Sequence, residues 1–250
     1  MMKPTKADLR RANSLLMRVR REKERGLVFR KLEGKLEVIV FSDAAFQNLG
    51  DSGTQGGMMV MVCEAQNQTG PVRGDEFRDK EIRGAVLTWR SAKVRKVTTS
   101  TFAAETIQAV AALDAAAEMR NMLRESVRGQ DGKGQAEEDI ELHAKTDCKN
   151  LVDHVHSLRL FPRERRLRAE VAVIREFLQK GELTSLQHIP SHVNVADALT
   201  KTMPSLKGAV LKAMGGVVRV PVSRVGTVCA AGKGRRAGAG SLLKLTRVRA

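Results

Sequence analysis

The chain has 250 residues, 42% of them hydrophobic and 29% charged, with a formal net charge of +16. This composition excludes a wholly disordered chain and provides apolar residues for one sizeable core. The longest apolar run, residues 58–63, is too short to span a bilayer, and the three cysteines lack the C-x-x-C spacing of a zinc finger.

The first half of the chain predicts one helix followed by three strands. Residues 6–25 place Leu9, Leu16 and Val19 on one helical stripe, and arginines cover the other faces. Strands are predicted over residues 36–41, 58–64 and 84–89. The first of them ends at Ser42-Asp43, and turn-rich connections between the strands predict an antiparallel meander.

The second half alternates helices with strands. Helices are predicted over residues 102–124, 149–156, 162–180 and 195–203, and strands over residues 140–146 and 183–189. A meander followed by β-α-β crossovers predicts an α/β fold with a five-stranded mixed sheet and helices on both faces.

Positive charge is concentrated at the two ends of the chain. Residues 1–35 hold 12 basic and 4 acidic side chains, residues 207–250 hold 10 basic and no acidic ones, and the centre has a net charge of −2. We therefore expect a basic helical segment (1–35), a central domain (36–206) and a basic, disordered tail (207–250). Basic ends favour a nucleic-acid partner. Arginines in place of an apolar leader predict a chain that is not secreted, in the cytoplasm or nucleus and without a membrane partner.

Four acidic residues stand at junctions between predicted elements. Asp43 and Asp147 each end a strand, Glu105 lies in the first turns of a helix, and Asp197 begins the last helix. Each residue alone is typical of a turn or a helix cap. If Thr101 is the N-cap, however, the reciprocal capping position is Ala104 and not Glu105.

Together, the four carboxylates predict a metal site. If the first and fourth strands are parallel neighbours, Asp43 and Asp147 meet at the point where the strand order reverses, which is where open α/β sheets bind ligands. Three alanines on the helical stripe of Glu105 let that helix approach the sheet closely. Clustered carboxylates repel one another and favour Mg²⁺ or Mn²⁺. A pair of such ions suits phosphodiester hydrolysis.

Six segments in the same order resemble the ribonuclease H domain of copia-type retrotransposon polyproteins. They are Phe41-Ser42-Asp43-Ala44, Leu87-Thr88-Trp89-Arg90-Ser91-Ala92-Lys93, Ser100-Thr101-Phe102-Ala103-Ala104-Glu105-Thr106, Thr146-Asp147-Cys148-Lys149-Asn150, Ile174-Arg175-Glu176 and Ala196-Asp197-Ala198-Leu199-Thr200-Lys201. They are similar to the family's SDAD, W-S-S-K, S-T-E-A-E, D-N, I-R-E and A-D-x-L-T-K signatures, and together they cover about residues 36–203.

The resemblance implies a ribonuclease H-like sheet with strand order 3-2-1-4-5. It implies catalytic, metal-binding roles for Asp43, Glu105, Asp147 and Asp197, and two Mg²⁺ or Mn²⁺ ions that cleave the RNA strand of an RNA/DNA hybrid. Residues 6–31 resemble the segment that joins a reverse transcriptase to this domain. The chain contains no Y-x-D-D polymerase motif, so a reverse transcriptase partner would be a separate chain.

The chain also departs from the family pattern. Ala45 replaces the second Asp of SDAD, Thr106 replaces an aromatic residue, and Cys148 replaces an Asn. These departures leave open a catalytically inactive, domesticated or decayed copy that only binds nucleic acid. A strand-transferring integrase of related fold is the third possibility, but the A-D-x-L-T-K match has no role in such an enzyme.

Further candidates lie outside the carboxylates. His192 stands five residues before Asp197, where many ribonucleases H place a histidine that assists proton transfer. Basic side chains expected to contact the phosphates of a hybrid are Lys93, Arg95, Lys96, Arg163, Arg165 and Arg166. Aromatic residues make up only 3% of the chain, which favours recognition by backbone shape over base stacking.

Overall fold

A computed structural model describes residues 5–24, 26–65, 79–131, 140–157, 162, 164–201 and 207–221. The helices in these ranges are α1 (Lys6–Arg21), α2 (Thr101–Asp131), α3 (Lys149–His156), α4 (Arg165–Gln179), α5 (Asp197–Thr200) and α6 (Lys207–Met214). The strands are β1 (Leu36–Ala45), β2 (Gln55–Glu64), β3 (Asp79–Lys93), β4 (Glu141–Thr146), β5 (Ser185–His188) and β6 (Val217–Pro221). In these ranges, no helix has the length and apolar character needed to cross a membrane.

The strands form one mixed sheet in the order β5-β4-β1-β2-β3-β6. β1 and β2 are antiparallel, as are β2 and β3, whereas β4 lies parallel to both β1 and β5. The predicted five-stranded order 3-2-1-4-5 is therefore confirmed. β1 lies at the centre because its run of apolar side chains is buried on both faces of the sheet.

A sixth strand at the edge of the sheet corrects the expected disordered tail. Residues 207–221 form α6 and β6, and β6 pairs antiparallel with the first part of β3, from Asp79↔Pro221 to Arg83↔Val217. Gly216 turns the chain between them with a φ of +81°, which favours glycine. The valines of residues 217–220 favour a strand. The basic composition of the tail as a whole favours disorder, which is why the strand is not predicted. Residues 222–250 lie outside the described ranges.

Helices cover both faces of the sheet, as predicted. α2, α3 and α4 bury Leu113, Leu151 and Ile174 against one face. The segment around α5, together with α6, packs on the other face, where Ala196 and Ala213 are buried. The alanines at positions 109, 112 and 116 are at most 3% exposed, so the small stripe of α2 does lie directly on the sheet.

α1 stands apart from this core. Its first turn is closed by a capping box in which Thr5 and Asp8 exchange hydrogen bonds. No residue of α1 is buried, and the helix ends at Arg21, four residues before its predicted end.

Candidate active site

Asp43 and Asp147 lie side by side because of the register of the parallel strands. Ser42 of β1 pairs with Thr146 of β4, so the next residue along each chain segment is one of the two aspartates. Asp147 directly follows β4 as predicted, whereas β1 continues past Asp43 to Ala45 because Asp43 and Ala45 still pair with β2. Asp43 is 1% exposed, and Asp147 is half-buried. The prediction that these two residues meet where the strand order reverses is confirmed.

Glu105 reaches the same place from the first turns of α2. The Ser100 hydroxyl caps this helix by accepting a 3.1 Å hydrogen bond from the Ala103 N–H. Capping therefore does not use Glu105, which is buried. One carboxylate oxygen from each of Asp43, Glu105 and Asp147 lies within 4.8 Å of the others.

Burial and mutual repulsion make this cluster electrostatically unfavourable without a cation. Desolvation raises the pKa of Asp43 to about 6. The charge of Asp197 also raises this pKa, whereas the hydrogen bond from the Thr200 hydroxyl lowers it. Desolvation and then the charges of Asp43 and Asp147 raise the pKa of Glu105 to about 9. A bound divalent cation would reverse both effects by favouring the ionised carboxylates.

The cluster is suited to a hard metal ion. It offers carboxylate oxygens from β1, from α2 and from the residue that follows β4, and carboxylate oxygen is the donor type that Mg²⁺ and Mn²⁺ prefer. The Glu105 Oε2 atom is buried without a hydrogen-bond partner among the described residues. Because unpartnered buried polar atoms are rare, this atom is a ready metal ligand.

Asp197, the fourth predicted carboxylate, lies beside this cluster but is engaged by a lysine. It begins α5 and is 5% exposed, and its Oδ1 atom accepts a hydrogen bond of 2.5 Å from Lys201 Nζ. In the same helix, the Thr200 hydroxyl donates to Asp43 Oδ2. α5 therefore touches the cluster through Thr200. Asp197 in this helix and Lys201 directly after it place an acidic and a basic group beside the cluster.

Asn194 is a site residue that the sequence analysis did not identify. Its side-chain Nδ2 donates to the Ser42 carbonyl at 3.0 Å and to Asp147 Oδ1 at 3.2 Å. Its Oδ1 atom accepts from the Ala196 N–H at 3.2 Å. This buried amide therefore joins the ends of β1 and β4 to the start of α5 and orients Asp147. Its place three residues before Asp197 is the only sequence signal.

A glycine lets α5 approach the cluster. Gly57 of β2 pairs with Asp43, and α5 crosses directly above it. A Cβ atom at Gly57 would lie 2.8 Å from Thr200 Cγ2 and 2.9 Å from the Ala196 carbonyl oxygen. Because one of these contacts is backbone, α5 would have to move.

We expect Gly57→Ala to destabilise the protein by about 1–3 kcal/mol, since overpacking at a backbone contact costs that much. The measurement is urea unfolding. Gly208→Ala is the control, because no described heavy atom lies within 4 Å of its added Cβ and a helical alanine is favoured. An unchanged unfolding midpoint for Gly57→Ala would contradict the close packing of α5.

Four of the six predicted basic residues lie on an exposed surface formed by the 94–100 loop and the start of α4. Thr99 Oγ1 donates to Glu164 Oε2 at 2.7 Å, and Lys96 Nζ contacts Glu170 Oε1 at 2.6 Å, which holds the loop to the helix. The predicted arginines that are exposed on this surface are Arg95, Arg165 and Arg166.

Three other predicted residues, Lys93, His192 and Arg163, are not placed on this exposed surface. Lys93 is ion-paired with Asp51. His192 is exposed in the 3-10 turn Ser191–Val193, and its assignment to proton transfer stays a prediction. Arg163 lies outside the described residues.

No protein-family model matches the chain, and no curated protein matches its sequence. Among solved structures, the chain is similar to RNase H1 from the halophilic archaeon Halobacterium salinarum NRC-1, with 19% identity and a TM-score of 0.40, over 66% of this chain and 94% of that one. It is similar to LC11-RNase H1 in complex with an RNA/DNA hybrid, with 17% identity and a TM-score of 0.39, over 65% and 93% of the two chains. It is also similar to the RNase H domain of prototype foamy virus, with 13% identity and a TM-score of 0.37, over 67% and 91%.

Proposed function

We propose that this chain is a metal-dependent ribonuclease H that cleaves the RNA strand of RNA/DNA hybrids. The observation that carries the proposal is the meeting of Asp43, Glu105 and Asp147 within 4.8 Å at the ends of two parallel strands. Carboxylates in this arrangement suit metal-assisted phosphodiester hydrolysis. The ordered motifs around these residues support the choice of an RNA/DNA hybrid as substrate.

In this proposal, each residue of the site has a defined task. Asp43, Glu105 and Asp147 hold the divalent ions, with Asp197 as the fourth ligand. When bound by these residues, two Mg²⁺ ions would supply an activated water and would stabilise charge on the leaving oxygen. Asn194 positions Asp147 through its 3.2 Å hydrogen bond, and the expected products are a 3′-hydroxyl and a 5′-phosphate.

The exposed surface of the 94–100 loop and α4 is proposed to hold the hybrid. Arg95, Arg165 and Arg166 offer three guanidinium groups to phosphates. Recognition through the backbone and the 2′-hydroxyls distinguishes RNA from DNA without base stacking.

We expect the double substitution Arg165→Gln and Arg166→Gln to weaken hybrid binding roughly tenfold and to reduce the salt slope by about 2, because two phosphate contacts are lost. Fluorescence anisotropy at several salt concentrations measures both quantities. Lys180→Gln with Lys212→Gln serves as the matched control, because it removes the same charge from the residue that follows α4 and from α6. Equal losses in the two double variants would rule out a specific role for the start of α4.

The motif order further supports a retrotransposon origin of copia type. We propose that residues 1–35 correspond to the connection with a polymerase, and that a reverse transcriptase on another chain is the natural partner. Analytical ultracentrifugation with a copia-type polymerase tests this partner, and α1 is the segment expected to be required.

The test of the activity is cleavage of an end-labelled RNA/DNA hybrid in Mg²⁺, in Mn²⁺ and in EDTA. We expect cleavage of the RNA strand only, with either metal and not with EDTA. Single-stranded RNA and duplex DNA of the same sequence serve as controls and should remain intact. Metal-independent cleavage, or equal cleavage of all three substrates, would refute the proposal.

A catalytically inactive nucleic-acid-binding module is the second candidate, and the ion pair between Asp197 and Lys201 favours it. Among the described residues the metal-sized cluster contains three carboxylates, and the fourth predicted carboxylate, Asp197, is paired with Lys201. Salt-sensitive hybrid binding together with a thermal midpoint that Mg²⁺ does not raise would select this candidate.

A further inference from the structure

The acidic site contains a cation of its own, the ammonium group of Lys201. Its Nζ atom lies 2.5 Å from Asp197 Oδ1. The Lys201 side chain is 39% exposed, whereas the Asp197 side chain is only 7% exposed. The ammonium therefore reaches inward from solvent to a buried carboxylate.

The charges around Lys201 come from the whole site and not from Asp197 alone. Burial opposes the charged ammonium. The hydrogen bond that the ammonium donates to Asp197 and the charges of Asp43, Asp197 and Asp147 nevertheless raise the pKa of Lys201 together. Lys201 in turn acts on the carboxyl groups of both Asp43 and Glu105. One ammonium thus partly neutralises four clustered acids.

The backbone of Lys201 is held in place, but its side chain can move from the cluster toward solvent. Its N–H donates to the Asp197 carbonyl at 3.0 Å, and the preceding residue, Thr200, is bonded to Asp43. These contacts keep the base of the side chain at the rim of the cluster. Because the ammonium ends a flexible four-carbon stem and is partly exposed, it can leave Asp197 without any movement of α5.

We propose that Lys201 is an internal counter-cation that occupies Asp197 in the metal-free protein and competes with divalent ions for that carboxylate. The inference rests on the proposed function, because it presumes that the cluster binds metal. Lys201 is thereby a positioning residue that sets metal affinity. It stabilises the empty site and weakens binding of an ion to Asp197, since that ion must displace the ammonium.

The test is calorimetric titration of Mn²⁺ into the wild type and Lys201→Met, with thermal unfolding of both proteins in EDTA. We expect Lys201→Met to bind Mn²⁺ about tenfold more tightly, which corresponds to roughly 1.4 kcal/mol. We also expect its thermal midpoint in EDTA to be lower. Lys201→Arg keeps the charge and should bind Mn²⁺ as the wild type does.

Lys180→Met is the matched control. It removes another lysine that is paired at position i,i+4, with Nζ 2.6 Å from Oε1 of Glu176 on the exposed face of α4. Its Mn²⁺ affinity should equal that of the wild type. A tightening of similar size in Lys180→Met would show that only the net charge matters, and would overturn the specific role of Lys201.

The outcomes separate this inference from the proposed function. If the wild type binds Mn²⁺ and Lys201→Met binds it equally or more weakly, the inference is wrong and the function stands. If the wild type binds no Mn²⁺, the function itself fails and the inference fails with it.

Displacement of the Lys201 ammonium can also be tested by NMR on the wild type, which requires no variant to fold. The ¹³Cε resonance of Lys201 should shift toward that of a solvent-exposed lysine as Mg²⁺ saturates the site. An unmoved resonance at saturating Mg²⁺ would contradict displacement of the ammonium.

Discussion

Asp147→Asn is expected to lower Mg²⁺-dependent cleavage of an RNA/DNA hybrid by at least about 10³-fold while the fold stays intact. In the wild type, Asn194 Nδ2 donates a 3.2 Å hydrogen bond to Asp147 Oδ1. Asparagine keeps the shape of the aspartate side chain and an oxygen that can accept this hydrogen bond. It removes one negative charge from the metal cluster. A 10³-fold loss corresponds to about 4 kcal/mol of transition-state stabilisation, a reasonable size for a lost metal ligand.

The comparison for this variant is Asp153→Asn, which makes the same change six residues further on. Asp153 pairs with Lys149 at 2.8 Å on α3 and takes no part in the cluster. Initial rates of hybrid cleavage, with circular dichroism to check folding, give the result. Full activity in a folded Asp147→Asn protein would show that Asp147 is not a catalytic residue.

Glu105→Gln is expected to stabilise the metal-free protein and to destabilise it relative to the wild type once Mg²⁺ is added. Folding raises the pKa of Glu105 from its ordinary value of 4.5 to about 9, mainly through desolvation and then through the charges of Asp43 and Asp147. The folded state therefore holds a proton that the unfolded state releases. Wild-type stability in EDTA should fall as the pH rises from about 4.5 to about 9.

At pH 7 to 8, the variant should be more stable than the wild type in EDTA by about 2 kcal/mol, or roughly 5 °C in thermal midpoint. In saturating Mg²⁺ the order should reverse, because a ligand at 100 times its Kd stabilises the wild type by about 2.7 kcal/mol. Glu118→Gln, on the exposed face of the same helix, should show neither effect. The same order of stability with and without Mg²⁺ would argue against Glu105 as a metal ligand.

The central strands and α3 could be predicted because local sequence alone defines them. β1 begins with the apolar run over residues 36–41 that predicts it, although it continues through Ser42 and Asp43 to Ala45. α3 has the predicted bounds, 149–156. Asp43 and Asp147 could be placed together because strand ends and the reversal of strand order follow from the predicted topology.

Elements that depend on pairing across the sheet could not be bounded in this way. β2 begins at Gln55 and not at residue 58, although residues 55–57 are a glutamine and two glycines. β3 likewise extends to Lys93. Both extensions form because Gln55 pairs with both Ala45 and Lys93. β6 and the first residues of β3 form a strand pair from distant parts of the chain. Local propensity does not contain such a register.

The predicted helix over 195–203 shows the same limit. Of this segment, residues 195–201 are described, and there the helix is the single turn α5, preceded by a 3-10 turn. The roles of Asn194 and Lys201 follow from the way this turn rests on Gly57, because that contact brings them to the carboxylates. The sequence contains both residues, but only the packing decides what they contact.

The most direct test of the central claim is a crystal structure grown in Mn²⁺, with the metal located by its anomalous scattering. The account predicts an anomalous peak bound by carboxylate oxygens of Asp43, Glu105 and Asp147, the three groups that lie within 4.8 Å of one another. Carboxylates on separate surfaces, or no peak between them at saturating Mn²⁺, would contradict it.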